Sequence, residues 1–202
     1  LGSYIIAVTG ASGAIYARNM LQALLKLNQE VNLTITGPGF RVLSEELSWD
    51  LPEPGDPGMT REIVRYLGWN GDAPLRYFDY RDIGAEIASG SARNDGMIII
   101  PCTVSTLSGI ACGASQNLVE RAADIMLKEK RQLVVVPRET PFNQIHLKNM
   151  LELACMGVHI VPAAPAFYHK PETIEDLVNF VVGRVLDLLK IEHDLFKRWQ
   201  GS

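Results

Sequence analysis

Short unbroken apolar runs, rich in β-branched residues, alternate along the chain with longer stretches whose apolar positions recur every three to four residues. The runs at 4–9, 31–36, 97–101, 132–137 and 158–161 have the length and composition of strands buried on both faces. The stretches at about 14–28, 40–47, 104–112, 118–130, 144–156 and 173–190 carry the helical period. Strands spaced by helices require crossover connections, and these give a parallel sheet covered on both faces. The fold expected is a Rossmann-like, doubly wound α/β domain with a mainly parallel sheet, formed by 1–202 as one unit. Two segments break the rhythm. Pro52-Glu53-Pro54-Gly55-Asp56-Pro57-Gly58 is dense in turn residues, and a short helix at 60–67 is expected after it, so 51–72 reads as an excursion from the domain. The tail at about 192–200 is expected to be a short helix packed on a neighbouring subunit.

Composition adds exclusions. The 202 residues are 47% hydrophobic and 21% charged, with 19 Lys+Arg against 23 Asp+Glu and a net charge of −4. A dedicated nucleic-acid or anionic-membrane binder would show a large basic excess. No apolar run approaches the roughly 18–20 residues that span a bilayer, no signal-peptide pattern is visible, and Leu1-Gly2-Ser3 reads as a trimmed start. Cys102, Cys112 and Cys155 are odd in number and lack CxxC spacing. They read as buried or semi-buried thiols of a reducing cytoplasm rather than a disulfide framework or zinc site. His146, His159, His169 and His193 lack metal-ligand spacing, so no bound metal is expected.

Ligands of open parallel sheets bind beyond the carboxyl ends of the strands. The residues there are small, hydroxylic or charged: Thr9-Gly10-Ala11-Ser12-Gly13-Ala14, Thr36-Gly37-Pro38-Gly39, Pro101-Cys102-Thr103-Val104-Ser105-Thr106, Pro137-Arg138-Glu139-Thr140-Pro141, and the loop from Pro162 to Tyr168. Gly10 and Gly13 allow a tight turn, and Ser12 with the following helix start can hold an anion; a serine-capped turn would use the same residues. The turn is similar to the TGxxGxxG start of nicotinamide-dependent reductases. However, Tyr16 stands at the third glycine, Thr36 where an acidic ribose ligand is expected, and no YxxxK pair exists. Thr103, Ser105, Thr106 and Ser108 suit a second phosphate contact or a flavin edge, or simple capping. Arg184 lies in line with Leu177, Phe180, Val181 and Leu188 on its helix, so it needs either an acidic partner or a bound anion, to which Tyr168 could also donate. Arg121 and Lys128, seven apart, share a face with Asp124 between them, a pattern that paired surface charges also produce. Glu139 suits a proton shuttle or a partner for Arg138. Glu45 and Glu46 are further acid/base candidates, or an exposed helix face.

Taken together and in order, TGASGAIYA at 9–17, IASGS at 87–91, PCTVSTLSGIA at 101–111, ERAADIMLKEKRQLVVVPRETP at 120–141 and PAAPAFYHKP at 162–171 resemble the UbiX-type flavin prenyltransferases, within the flavin-binding decarboxylase-like flavoproteins. The resemblance implies transfer of a dimethylallyl group from dimethylallyl monophosphate to N5 and C6 of reduced FMN, without metal, giving a prenylated flavin for a UbiD-type decarboxylase. It implies a cytoplasmic homododecamer with sites at subunit junctions. It assigns Gly10, Ala11, Ser12, Thr36, Thr103, Val104, Ser105, Thr106 and Arg138 to FMN. Arg121, Lys128, Glu139, Tyr168 and Arg184 fall to the prenyl phosphate, and Ser12, Glu46 and Glu139 to catalysis. On this reading Arg121, Lys128, Arg138 and Arg184 converge on two phosphates. Two positions depart from the family: Thr36-Gly37-Pro38-Gly39 replaces its usual small-Lys-Ala type sequence, and Ile83 stands where some relatives place Trp. The alternatives are an FMN-dependent cysteine-type decarboxylase of the same superfamily and a non-catalytic FMN-binding module. Neither needs Arg121, Lys128, Tyr168 and Arg184 around a second phosphate.

Overall fold

The computed structural model describes residues 2–199; Leu1 and Gln200, which belong to the trimmed-start and tail expectations, lie outside them. In chain order the elements are β1 (Ser3–Val8), α1 (Ala14–Lys26), β2 (Glu30–Ile35), α2 (Gly37–Leu47), α3 (Met59–Tyr66), β3 (Leu75–Asp79), β4 (Gly96–Cys102), α4 (Val104–Ala111), α5 (Leu118–Lys128), β5 (Gln132–Pro137), α6 (Gln144–Cys155), β6 (His159–Ile160) and α7 (Ile174–Leu188). One six-stranded sheet has the order β3-β2-β1-β4-β5-β6, and every neighbouring pair is parallel. That is the doubly wound order expected.

The apolar runs are unbroken because both faces are buried. Side chains alternate across the sheet: Ile6, Leu33, Ile98 and Val134 face α1 and α7, while Ile5, Ala7, Met97 and Val135 face α4, α5 and α6. Burying side chains of this size contributes about 1.5–3 kcal/mol each.

Three expectations need correcting. β3 was absent from the pattern because it is an edge strand: only Leu75 is buried and Arg76 is exposed, so it shows no apolar run. Residues 192–199 form no helix; they pack on their own chain's α7, where His193 and Phe196 lie against the buried Gly183. Arg184 is exposed rather than set on a buried face, since α7 buries Val178, Val181, Val182, Val185 and Leu186 instead. The excursion at 51–72 contains α3, whose Met59 and Ile63 join the core, and it is pinned by Tyr66, which stacks on Trp49 at 5.4 Å and accepts the Asp50 N–H at 3.0 Å.

Candidate active site

In the order found, β1 and β4 are adjacent, yet their following helices α1 and α4 connect in opposite directions along the sheet. The crevice beyond their ends is the topological switch point, where such folds place ligands. Thr9 defines it. Buried at the end of β1, it donates through Oγ1 to the Pro101 carbonyl at 2.8 Å and accepts the Thr103 N–H at 2.8 Å. It therefore cross-links the two loops that line the crevice. The sequence contained Thr9 inside the motif but assigned it no role, because the bond spans 92 positions. Thr9→Val keeps the shape and strands the Thr103 N–H, while the Pro101 carbonyl keeps the Thr9 N–H at 3.3 Å; one lost partner costs about 1–3 kcal/mol. A lower melting temperature together with weaker FMN binding is expected, measured by thermal melts and flavin titration; unchanged values would remove Thr9 from the site.

On the β1 side, Glu46 reaches across from α2. Its Oε2 accepts the Gly13 N–H at 2.9 Å and the Ala14 N–H at 2.8 Å, closing the start of α1. Burial pushes this carboxyl up, but the Ser12 hydroxyl, these two N–H groups and the Arg138 charge outweigh it and hold it below the ordinary carboxylate range. Gly13 sits at φ +114°, a left-handed backbone that suits glycine. At Gly10 a Cβ would stand 2.4 Å from Pro38, so the loop after β1 closes directly on the loop after β2. Arg138, at the end of β5, donates from Nε to the Ser12 carbonyl at 2.9 Å. Ser12, Glu46 and Arg138 are thus brought together. Glu139 follows, its carboxylate accepting the Thr140 N–H at 3.0 Å.

On the β4 side, Thr103 caps α4: its Oγ1 accepts the Thr106 N–H at 3.1 Å and pairs with the Thr106 hydroxyl at 2.9 Å. The Val104 and Ser105 N–H groups open the helix and have no acceptor within it. Thr36 caps α2, accepting the Gly39 N–H and donating to the Val8 carbonyl; its hydroxyl is already engaged in the turn. Ala11 is buried beside Ser12. Cys102 is buried, and burial pushes its thiol up to about 12, which excludes it as a nucleophile near neutrality. Cys112 and Cys155 are exposed rather than buried.

A second cluster lies on the flank of β6. Tyr168 meets Phe180 edge-on at 5.8 Å, one turn from Arg184 on α7. Arg184 lines a groove of about 410 Å³ with Ile160, Pro162 and Phe180 and bonds Asp187 at 2.9 Å, so the acidic partner expected of it is present.

The expected convergence of four cations does not occur within one chain. α5 runs back against the strands, so Lys128 lies level with the start of β5, beside Gly90 and Glu129. Arg138 follows the end of the same strand. Six strand residues place roughly 20 Å between those levels. Arg121, two turns earlier on α5, stands roughly 10 Å nearer the crevice edge and pairs only loosely with Asp124, at 3.4 Å.

The residues present fit a flavin mononucleotide. Helix-start N–H groups, paired threonine hydroxyls and an arginine converge at the switch-point crevice, a donor set suited to a phosphate and to the polar edge of an isoalloxazine. Among the described residues, no group of three His, Cys, Asp or Glu is placed to hold a metal, and no helix is long and apolar enough to cross a membrane.

The Flavoprotein family model matches residues 3–186. A flavin prenyltransferase UbiX of Halalkalibacterium halodurans is 54% identical over 198 residues, covering 98% of this chain and 93% of that one. The crystal structure of AnUbiX in complex with FMN and dimethylallyl pyrophosphate superposes with a TM-score of 0.85 at 37% identity, covering 100% of this chain and 98% of that chain. A dodecameric FMN-dependent UbiX-like decarboxylase from Escherichia coli O157:H7 superposes with a TM-score of 0.83 at 42% identity, covering 98% and 100%.

Proposed function

Since the chain belongs to the UbiX flavin prenyltransferases of the Flavoprotein family, we propose that its switch-point crevice seats FMN and that Tyr168 and Arg184 take the phosphate of a dimethylallyl monophosphate. The protein is a flavin prenyltransferase, and FMN is its flavin. The observation that carries the residue-level reading is the Ser12–Glu46–Arg138 cluster beside the Thr9 cross-link, at the one crevice where α1 and α4 both begin.

Reduced FMN held there would supply an electron-rich N5 and C6, which bond two different carbons of the prenyl unit. The chain supplies the rest. Loss of phosphate from an allylic carbon develops negative charge on the departing oxygens, and the Arg184 guanidinium and Tyr168 hydroxyl stabilise it where it forms. Arg138 holds the Ser12 loop by its backbone carbonyl. The Glu46 carboxylate, kept ionised, can take a proton at the Ser12 hydroxyl, and Glu139 can return one on the β5 side. Holding the two reactants together supplies a large part of the rate in such a two-substrate reaction.

Lys128 enters this reading from a neighbouring copy. Two features support an oligomer of the dodecameric kind. Lys128 is far from Arg138 within one chain, and α6 leaves Ile145, Leu147 and Leu151 between 55% and 67% exposed, an apolar face of the kind that covered interfaces use. Lys128→Met and Arg184→Met proteins are each expected to be nearly inactive. Dissociated and reassembled together, they should regain roughly a quarter of wild-type activity, because random mixing leaves that share of shared sites intact. No recovery would place both residues in one chain's site. A cytoplasmic location and supply of the product to a UbiD-type decarboxylase complete the reading.

Anaerobic incubation with reduced FMN and dimethylallyl monophosphate, followed by mass spectrometry, tests the function. A flavin heavier by one C5H8 unit is expected. Absence of any adduct, with both ligands bound, would overturn it.

A further inference from the structure

The steps above make no use of Asp187, yet its carboxylate gathers three donors. Arg184 on the same helix donates Nη1 to Oδ2 at 2.9 Å; Arg198 donates Nη2 and His193 donates Nε2 to Oδ1 at 2.7 and 3.1 Å. The last two come from the tail. That tail crosses α7 at Gly183, where a Cβ would stand 2.6 Å from both the His193 and the Phe196 rings, so only a residue without a side chain lets the rings lie on the helix. Beyond the crossing, Trp199 meets Tyr168 edge-on at 5.6 Å, and Phe196 packs on Phe180 at 4.9 Å. Each member of the phosphate pair therefore touches one assembly: Arg184 through Asp187, Tyr168 through Trp199. Arg184 uses one of five N–H donors on Asp187, and the rest remain for an anion. Burial pushes the Asp187 carboxyl up, but Arg198 and His193 outweigh it and keep it ionised.

We propose that Asp187 is a positioning residue: it fixes the Arg184 guanidinium and latches residues 192–199 across α7, so that the tail holds Tyr168 and Arg184 as one phosphate-binding unit. The inference rests on the reading of those two residues given above. The two arginines are half-exposed, whereas Asp187 is 18% and His193 1% exposed, so the latch is read from ligand affinity and tail protection, not from the melting temperature.

The test uses the full chain loaded with oxidised FMN, so that no turnover occurs, and two variants. Asp187→Asn removes the charge. Gly183→Ala changes no charge, favours the helix, and displaces the tail rings. In calorimetric titration, both are expected to raise the Kd for dimethylallyl monophosphate about tenfold, as loss of one charge-assisted contact does, with FMN affinity held. Trypsin should cut after Lys197 and Arg198 about tenfold faster in both, the signature of a local opening. Under turnover the loss should fall on KM, with kcat changed little. An unchanged or tighter Kd in either variant, or a tail as protected as in wild type, would overturn the proposal. A wild-type protein that bound FMN but no prenyl phosphate would instead overturn the phosphate-pair reading, and faster tail cleavage in both variants would still be seen if the latch exists.

Discussion

Replacing Glu46 by glutamine is expected to slow prenylation by about 10²–10⁴-fold, the usual weight of a positioned acid/base, while FMN stays bound. The carboxylate does two things at once. It closes α1 by accepting the Gly13 and Ala14 N–H groups, and, on the proposed reading, it takes a proton at the Ser12 hydroxyl, being kept ionised by that hydroxyl, the two N–H groups and the Arg138 charge. Glutamine retains one accepting oxygen for the helix start but cannot take a proton and carries no charge. The pH dependence follows from the sign of the shift. The folded carboxyl lies below its unfolded value, so its contribution to stability is complete above the unfolded carboxylate range and is lost as pH falls through the depressed value. Wild type should therefore lose its stability advantage over Glu46→Gln on acidification. Single-turnover mass spectrometry and melts across the acid range check both statements. A rate within tenfold of wild type would remove Glu46 from the chemistry.

Arg184→Met should lower kcat/KM for the prenyl phosphate by about 10²–10³, comparable to deleting one donor from a charge-stabilising site. Methionine keeps much of the apolar stem that lines the groove beside β6 and removes only the guanidinium. FMN affinity should hold, because Arg138 and the α4 start stand in a separate cluster. Lysine at the same position should recover part of the loss but not all, since an ammonium cannot reproduce the planar fork that grips phosphate and Asp187 together. Steady-state kinetics with a flavin-binding control decide it; a kcat/KM within threefold of wild type would move the leaving phosphate elsewhere.

How far the molecule was legible in its sequence varied with the physics. Burial on both faces forces continuous apolar runs, so β1, β2, β4 and β5 stood out; β3 pays no such toll at the sheet edge and was invisible. An all-parallel order places every strand's carboxyl end on one edge, which is why the loops around Ser12, Thr103 and Arg138 could be read as one site before their contacts were known. Arg121 and Lys128 show the limit. Their seven-residue spacing gives a common helix face, but not its height against the sheet, and that height separates Lys128 from Arg138. Helical periodicity also misplaced Arg184, because a face can be apolar and still border an open groove. Contacts made only by tertiary folding, such as Thr9 to Pro101 or Arg198 to Asp187, leave no periodic trace.

The distance between the levels of Lys128 and Arg138 on β5 carries a consequence for how the enzyme behaves in a tube. On the proposed reading, in which Lys128 comes from a neighbouring copy, the centre is incomplete in a lone chain, so catalysis per chain is governed by mass action among the chains themselves. Specific activity should stay flat at high protein concentration and fall away on dilution through the dissociation range, with no change in sequence, substrate or temperature.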